Sequence, residues 1–295
     1  MELRHLRYFL AVVDSGSTTK AADQVRVAQP SLSRQLRRLE GGLGLRLFHR
    51  GGGRLRLTPA GQEFVPVARD LLARAATAQE AATALATGHV SRITIAAPVT
   101  TIADVIAPFI AATSADEPMI TVQEVVPAEA YTGLWRGADV AISSSPAPSH
   151  LAGHAIARLP VLAYVPPGHS WTARTSVTIA ELVAEPLLLL TPEHGTRRLL
   201  DHAALRAGVR YAAAFETSVP QIAQALAAAG HGVAVVSDDP RYGLHPLAIE
   251  ASEGPLRIGL FAAWDHTHYS AATIESLARR LSQFCIARYG PNAAP

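Results

Sequence analysis

Apolar and polar residues near the start of the chain alternate with the period of an α-helix. From Leu3 to Val13 the apolar residues lie mostly three or four positions apart, which predicts a helix with one buried face. Ser17 is placed to cap a second helix over about Thr18–Val25, and Pro30 begins a third helix that extends to about Glu40. Two short helices joined by a tight turn are typical of a helix-turn-helix motif.

A short hairpin is predicted after the third helix. Three glycines at 51–53 separate two alternating stretches at 44–50 and 54–57, which is the pattern of two strands joined by a glycine turn. The hairpin would display Arg50, Arg54 and Arg56 beside the third helix. A hairpin in this position forms the wing of a winged helix.

A long amphipathic helix is predicted after the hairpin. Thr58 and Pro59 form a cap followed by a proline, which favours a helix start, and the helical pattern continues to about Gly88. Its apolar residues alternate in steps of four and three, as in the seam of a coiled coil. The residues of this seam, which we expect to form a dimer interface, are Phe64, Ala68, Leu71, Ala75, Ala78, Ala82 and Leu85. The alternative is that the same stripe packs against its own domain.

After residue 90 the pattern changes to alternating strands and helices. The predicted strands lie at 93–95, 120–126, 139–143, 161–165, 187–190, 211–215, 233–236 and 256–263. The predicted helices lie at 102–112, 128–136, 196–207, 219–229 and 270–289. Alternation of this kind is typical of an open, mostly parallel sheet of the α/β class.

Charge is distributed unevenly along the chain. The 295 residues carry 26 basic and 24 acidic side chains, which gives a formal net charge of +2. Residues 1–58 contain eleven of the basic and four of the acidic side chains, so this segment carries +7 and the remainder carries −5. A basic segment on a mildly acidic body predicts contact with a polyanion such as DNA.

Composition and motifs disfavour several classes of protein. A single cysteine, Cys285, excludes a disulfide framework and a cysteine-rich zinc module. The N-terminus lacks the apolar core of a signal peptide, and no apolar run approaches the ~20 residues of a membrane span, so we expect a soluble cytoplasmic protein. Nucleophile-elbow, phosphate-loop and dinucleotide-binding motifs are missing, so neither enzymatic activity nor a cofactor is expected.

Two histidines, His266 and His268, alternate near the end of the last predicted strand. On a strand their side chains would point to the same side of the sheet. Without carboxylates or thiols at ligand spacing they are a weak metal signal, and no metal site is predicted.

A series of short motifs occupies the first 61 residues in a fixed order. They are Leu3-Arg4-His5-Leu6-Arg7-Tyr8-Phe9, Ala21-Ala22, Gln29-Pro30-Ser31-Leu32-Ser33-Arg34-Gln35-Leu36, Leu39-Glu40, Leu43-Gly44, Leu47-Phe48 and Leu57-Thr58-Pro59-Ala60-Gly61. The series resembles the N-terminal domain of the LysR-type transcriptional regulators almost continuously. The later half resembles the family more loosely, through the segment 227–234. Ala28 is a departure, because the family commonly has a serine there to cap the third helix.

The resemblance implies an α/β protein with a winged helix-turn-helix, a long linker helix and a two-lobed, Rossmann-like effector domain of type 2 periplasmic-binding-protein architecture. The implied domains are a DNA-binding domain at 1–58, a linker and dimerisation helix at 59–88 and an effector domain at 89–295. Within the effector domain, lobe I is expected at about 89–160 and 267–290, and lobe II at about 161–266. The chain would cross between the lobes at 159–165 and 263–268.

The resemblance also implies a regulator that binds double-stranded DNA at a promoter operator as a homodimer or homotetramer. The residues implied at the DNA interface are Lys20, Gln29, Pro30, Ser31, Ser33, Arg34, Arg37, Arg50, Arg54 and Arg56. Their chemistry agrees with this role, because arginine forks suit guanine edges and phosphate oxygens, and glutamine suits adenine.

A small-molecule effector is expected in a cleft between the lobes, where parallel strands end. The candidate residues follow predicted strands or begin helices; they are Pro98, Val99, Thr100, Thr101, Pro127, Ser143, Ser144, Thr191, Thr217 and Ser218. Thr100 and Thr101 combine hydroxyl donors with a helix start, which suits a small carboxylate or another anion.

Two alternatives stay open from the sequence. The chain could be a small-molecule-binding protein or an enzyme with an incidental basic segment, which would show flat or absent DNA binding where a true reader loses affinity steeply with salt. It could also be a constitutive regulator whose cleft holds no ligand.

Overall fold

The computed structural model describes residues 2–49, 56–87 and 90–295. The chain divides into two compact units, one formed mostly by residues 1–89 and the other mostly by residues 90–295, and each is described by itself. Within the described ranges, no helix is long and apolar enough to cross a membrane.

Three helices form the helix-turn-helix of the first unit. Their bounds are Leu3–Ser15 (α1), Thr18–Gln24 (α2) and Gln29–Leu43 (α3). Gly16 ends α1 in the left-handed conformation, at φ +64°, and Ser17 then caps α2 by accepting a hydrogen bond from the Lys20 backbone N–H, as predicted. The third helix continues three residues beyond the predicted end at Glu40.

Phe9 lies at the centre of this unit's apolar core. Its side chain is fully buried together with those of Leu6 and Leu32. The Phe9 ring centroid lies 5.5 Å from the centroids of both Phe48 and Phe64, so the wing and the following helix pack on α1. Burial of one such phenylalanine stabilises the fold by about 1.5–3 kcal/mol.

The linker helix, α4, extends from Pro59 to Thr87 and continues through Pro66. Its first half packs on the helix-turn-helix core, where Ala68 is fully buried and Phe64 and Leu71 are partly buried. The dimer-interface prediction is therefore wrong for Ala68, whose side chain has no accessible surface, and Phe64 and Leu71 are engaged within their own chain. A stripe with this spacing fits a neighbouring helical domain as well as it fits a second copy of the helix.

The wing contains two short antiparallel strands, Phe48–His49 (β1) and Arg56–Leu57 (β2). Thr58 ties their base to α4, because its hydroxyl donates to the Arg46 carbonyl at 2.6 Å and accepts from the Gly61 N–H at 2.9 Å. The glycine turn, with Arg50 and Arg54, lies outside the described residues.

The first sheet of the second unit has five strands. They are Arg92–Ala97 (β3), Met119–Glu124 (β4), Val140–Ser143 (β5), Ala152–Pro160 (β6) and Arg257–Trp264 (β14). Their order is β4-β3-β5-β14-β6, in which β3 is parallel to β4 and β5, whereas β14 is antiparallel to β5 and β6.

The second sheet has seven strands. They are Leu162–Val165 (β7), Ser176–Thr178 (β8), Leu187–Leu190 (β9), Ala213–Thr217 (β10), Val233–Val236 (β11), His245–Ala251 (β12) and Gly254–Pro255 (β13). Six follow the order β10-β9-β11-β7-β12-β13, and β8 pairs with β12. Strand β9 is parallel to both β10 and β11.

Helices connect the strands and cover the sheets. Their bounds are Val99–Thr101 (α5), a π-helical segment at Ile102–Ile106, Ala107–Ala111 (α6), a 3₁₀ turn at Pro127–Glu129, Thr132–Trp135 (α7), Ile179–Leu182 (α8), Gly195–Arg206 (α9), Pro220–Ala228 (α10), Ala271–Tyr289 (α11) and a 3₁₀ turn at Pro291–Ala293. The first three run on without a break, so the helix predicted at 102–112 begins three residues earlier and contains a π-helical segment. The helix predicted at 128–136 is two short turns instead.

The chain crosses between the sheets twice. The first crossing lies between β6 and β7, near Val161, and the second lies between β13 and β14, near Leu256. The second was predicted at 263–268, and this is wrong because Arg257–Trp264 belongs to the first sheet. Lobe II therefore ends near residue 256, ten residues earlier than predicted. An apolar alternating pattern predicts a strand but does not say which sheet receives it.

Four strands were missed, namely β6, β8, β12 and β13. Strand β6 contains Gly153 and ends at Pro160, and β12 contains Pro246, and both residue types are depleted in strands. Tertiary pairing overrides these weak propensities, since β6 pairs with β14 along eight register positions.

Gly61 allows α4 to pass close to the wing. A Cβ atom at this position would lie 2.1 Å from the Leu47 carbonyl oxygen, which is far closer than van der Waals contact. We expect Gly61→Ala to lower the free energy of unfolding by roughly 1–3 kcal/mol because the backbone must shift. Chemical denaturation followed by circular dichroism measures this change.

Gly42→Ala is the matched control. Gly42 lies within α3, and a Cβ atom there meets nothing within 4 Å. Alanine should stabilise this helix by roughly 0.5–1 kcal/mol. Equal effects of the two substitutions would contradict the close approach at Gly61.

Candidate nucleic-acid interface and ligand cleft

The N-terminal turn of α3 presents polar side chains to solvent. Gln29 and Pro30 are exposed, and Gln29 Nε2 donates to Ser33 Oγ at 3.2 Å and to Thr18 Oγ1 at 3.4 Å. Ala28 occupies the N-cap and provides no side-chain hydrogen bond, as its departure from the family pattern predicted. The Gln29 side chain therefore links the hydroxyl groups of Thr18 and Ser33 at the start of α3.

One face of α3 is basic and the other is buried. Arg34 and Arg37 are exposed, whereas Leu32, Leu36 and Leu39 lie in the core. In the part of the chain that the structure describes, no salt bridge involves Arg34 or Arg37. Their guanidinium groups are thus available to a ligand. The other predicted DNA-contacting positions are exposed at Lys20 and Arg56 and half-buried at Ser31 and Ser33.

Glu40 positions the wing beside α3, a role that was not predicted. Its side chain is buried and its Oε1 accepts hydrogen bonds from the backbone N–H groups of Leu47, at 2.9 Å, and Phe48, at 3.3 Å. Charge-assisted bonds of this kind are about twice as strong as neutral ones. One feature of the sequence could have indicated this role: a single acid stands near the end of a basic helix, just before the predicted hairpin.

A cleft lies between the two sheets of the second unit and contains two adjoining cavities. The first has a volume of about 70 Å³ and the second about 420 Å³. Eight of the ten predicted effector residues line one or both: Pro98, Val99, Thr100, Thr101, Pro127, Ser144, Thr191 and Ser218. They come together because the loops after β3, β4, β5 and β9, together with the turn at 217–218, open onto the same cleft.

Ser143 and Thr217 do not line either cavity. Ser143 is buried at the end of β5, where its hydroxyl accepts a hydrogen bond from the Ser145 N–H at 3.2 Å. The Thr217 hydroxyl accepts from the Val219 N–H at 3.1 Å, just before α10. Both hydroxyls accept hydrogen bonds from backbone donors of their own turns, so their place in the effector site stays a prediction.

Several lining residues were missed, and most belong to lobe II. They are His194, Gly195, Thr196, Pro220, Ser237 and Asp238, with Leu159, Leu190 and Ile258–Leu260 supplying apolar surface. Ser237 and Asp238 directly follow β11, which is parallel to β9, so the rule that placed Thr191 in the site applies equally to them. At Gly195 a Cβ atom would lie 2.5 Å from Ser144 Oγ, so the lobes approach each other closely here and a larger residue would displace the Ser144 side chain.

Asp238 is a buried carboxylate in this cleft. It is 4% exposed, and its Oδ1 atom has no hydrogen-bond partner among the residues that the structure describes. Burial, followed by repulsion from Asp104, raises the pKa of Asp238 to about 7, although Arg241 acts in the opposite direction. The charged form of Asp238 is therefore incompletely compensated.

Asp104 connects the two lobes next to this cleft. It lies in the π-helical segment of lobe I, and its carboxylate accepts from Arg241 Nη2 at 2.8 Å and from the Asp239 N–H at 3.2 Å, both in lobe II. Arg288 of α11 adds an ion pair with Asp239 at 2.5 Å. Burial raises the pKa of Asp104, which is partly offset by these partners.

His266 and His268 do not lie on a strand, because β14 ends at Trp264. His268 Nε2 lies 3.1 Å from Asp139 Oδ1, and its Nδ1 lies 2.8 Å from the Ser270 hydroxyl. Ser270 is 3% exposed and precedes α11, so this group fixes the start of that helix against the first sheet. Among the described residues, no group of histidine, cysteine and acidic side chains is arranged to hold a metal ion.

Cys285 packs in the core of lobe I beside Leu281. Its side chain is fully buried, and burial raises the pKa of the thiol to about 12. Low reactivity follows, because the thiolate is the reactive species.

Comparison with known proteins follows the same division of the chain. The model of the bacterial regulatory helix-turn-helix protein, lysR family, matches residues 3–62, and the model of the LysR substrate binding domain matches residues 86–285. The regulator BenM of Acinetobacter baylyi is 54% identical over 72 residues, which is 24% of each chain. The uncharacterized HTH-type regulator YnfL of Escherichia coli is 32% identical over 207 residues, which is 66% of this chain and 68% of YnfL.

The fold matches solved structures of full-length regulators. CbnR, a LysR family transcriptional regulator, superposes with a TM-score of 0.78 at 24% identity, covering 96% of this chain and 99% of CbnR. A winged helix-turn-helix joined by a long helix to a two-lobed binding domain defines a DNA-binding transcriptional regulator. The chain belongs to the LysR family, which confirms the resemblance carried by its N-terminal motifs.

Asp238 should make folding stability depend on pH. Its raised pKa means that the folded state retains a proton that the unfolded state loses above about pH 4, so stability from this group falls as pH rises toward 7. We expect Asp238→Asn to gain stability relative to the native chain on the order of 2–4 kcal/mol at pH 8, and progressively less toward pH 5. Urea denaturation at pH 5 and pH 8 measures the difference.

Asp116→Asn is the control for this experiment. Asp116 is exposed, and a hydrogen bond from Ser114 lowers its pKa, so it stays charged in both states over this pH range. Its effect on stability should be the same at both pH values. A pH-independent effect of Asp238→Asn would contradict the incompletely compensated carboxylate.

Proposed function

We propose that this chain binds a promoter operator through α3 and the wing and changes its contacts with DNA when a small effector occupies the ligand cleft. In this proposal residues 1–58 bind DNA, 59–88 link and dimerise, and 89–295 sense the effector. The observation that carries it is the basic face of α3, on which Arg34 and Arg37 are exposed beside Gln29. Operator binding would place the protein in the bacterial cytoplasm.

The electrostatics of the N-terminal segment support DNA binding. Its net charge of +7 suits a phosphate backbone, and a reader that neutralises 6–10 phosphates loses affinity by ~10³–10⁵ between 50 and 200 mM salt. Lys20 and Arg56 are exposed at positions suited to phosphate contacts, while α3 is suited to base edges. CbnR has been solved in complex with its target DNA, which supports the same mode of binding here.

The second half of α4 supports pairing of two chains. Ala75, Ala78, Ala82 and Leu85 continue the apolar stripe beyond the helix-turn-helix core, and Leu85 is 77% exposed. Small alanine side chains allow two helices to approach closely, and pairing would cover surface that is otherwise left in water. A homodimer would present two basic heads to two half-sites, and a homotetramer would require further contacts between effector domains.

The ligand cleft supports sensing of a small effector. Thr100 and Thr101 lie in the first turn of the helical run 99–111, where backbone N–H groups have no acceptor within the helix. Hydroxyl and amide donors at a helix start suit a carboxylate or another small anion. Occupation of the cleft would act on both lobes at once, because residues of each lobe line it.

Replacement of Arg34 tests the base-contacting role of α3. Arg34→Ala removes an exposed fork while leaving the buried face of α3 unchanged, so the fold should be retained. We expect the affinity for an operator selected from a random DNA library to fall roughly 10- to 100-fold, with a smaller loss for random DNA. Fluorescence anisotropy at two salt concentrations measures both affinities.

Arg74→Ala is the matched control for Arg34. Arg74 lies on α4 and pairs with Asp70 at 2.8 Å, away from the proposed interface. It should keep the native ratio of operator to random-DNA affinity. The same ratio in Arg34→Ala would contradict the assignment of Arg34 to base contacts.

A charge placed on the α4 stripe tests dimerisation. Ala82→Asp would bury an unpaired carboxylate in the proposed seam, so the dimer dissociation constant should rise at least ~10-fold. Ala76→Asp places the same charge on an exposed position of the same helix that faces away from the stripe. Sedimentation equilibrium compares the two variants, and an equal effect of both would count against the seam.

A further inference from the structure

We infer that the effector carries a protonated amine that pairs with Asp238, so that with an anionic group at Thr100 and Thr101 it is a small zwitterion of the amino-acid class. The inference rests on the proposed function of the cleft as the effector site. In this inference Asp238 of lobe II recognises the positive group of the effector, and Thr100 and Thr101 of lobe I recognise its negative group.

The first support is the state of Asp238 itself. Its side chain is more than nine-tenths buried in the lining of the first cavity, and Oδ1 has no donor among the described residues. A buried carboxylate oxygen without a donor is costly, and native structures usually provide one. Oδ1 has almost no accessible surface in this conformation, so a ligand N–H group in the same cavity would supply the donor once the Asp238 carboxylate turns toward it.

The second support is the charge of the cleft. No lysine or arginine occurs among the described residues that line the two cavities, whereas Asp238, Glu124 and Glu193 do. The nearby cation Arg241 is already paired with Asp104 at 2.8 Å. The remaining ionisable side chain of the lining is His194, so acids outnumber bases three to one, and a ligand that carries an amine suits this lining better than one with only a negative charge.

The third support is the number of acceptors near Asp238. A primary ammonium group has three N–H donors. Ser237 and Thr196 line the same cavity as Asp238, and their hydroxyl oxygens lie 3.5 Å from each other. One carboxylate and two hydroxyls thus provide the three acceptors that an ammonium group needs.

The size and the remaining lining define the rest of the ligand. The second cavity, at about 420 Å³, lies within the range of small-molecule sites, and the first, which adjoins it, is lined on one side by Leu159, Leu190 and Ile258. Aliphatic side chains suit an apolar substituent. An amino acid with an uncharged, apolar side chain therefore fits the three parts of the site.

Matched ligand series with the full-length chain test this inference. L-Valine, L-leucine and L-phenylalanine are each compared with the corresponding decarboxylated amine and deaminated acid by isothermal titration calorimetry. We expect at least one amino acid to bind more tightly than both of its partial analogues. Asp238→Asn should weaken binding of that amino acid and its amine by roughly 10- to 100-fold and leave the acid unchanged.

Two further variants separate the possible outcomes. Thr100→Val should weaken the amino acid and the acid but not the amine, and the exposed Asp116→Asn should change none of them. The inference is overturned if the acids bind as tightly as the amino acids, if Asp238→Asn binds like the native chain, or if no amino acid binds at millimolar concentration. If the acids bind and Thr100→Val weakens them, the cleft remains the proposed effector site although the amino-acid inference fails. If neither Thr100→Val nor Asp238→Asn changes the binding of any ligand, the proposal that the cleft is the effector site fails as well.

Discussion

Strands β3, β4 and β5 run parallel in one sheet and β9, β10 and β11 run parallel in the other, so the loops that follow them leave each sheet at one edge. The two edges face one cleft because the chain crosses between the sheets only at 160–162 and 255–257. Hydroxyl groups and helix starts from distant parts of the sequence are thereby collected in one place. The ligand site depends on this strand direction more than on any single side chain.

In both units, buried carboxylates hold neighbouring segments together by accepting hydrogen bonds from backbone N–H groups. Glu40 holds the wing strand through two backbone N–H groups, Asp139 accepts from the Thr94 N–H at 2.7 Å between neighbouring strands, and Asp104 joins the lobes. Each of these acids has donors that compensate for its burial. Asp238 is buried to the same degree but has an oxygen without a donor, which distinguishes it as a group suited to a ligand rather than to the fold.

The sequence was sufficient for the helix-turn-helix, the linker helix and most parallel strands because each has a strong local signal. Ser17, Pro30 and the apolar periodicity of α1 determine helix boundaries within a few residues. Strand partners are determined by tertiary packing, so β14 was predicted as a strand but assigned to the wrong lobe. Eight residues that line the two cavities followed from the strand-end rule, whereas Asp238 was missed because the prediction at strand ends favoured hydroxyl groups over acids.

The burial of Ala68 has a mechanical consequence for the N-terminal unit. Because the first three turns of α4 are part of the helix-turn-helix core, the head and this helix move as one rigid lever. Because α3 and the first turns of α4 share one core, a rotation of α4 about its own axis changes the direction in which α3 points by the same angle. In the proposed dimer, a twist between the two linker helices would therefore reorient the two DNA-reading surfaces by the same angle and change their spacing in proportion to their distance from the helix axis.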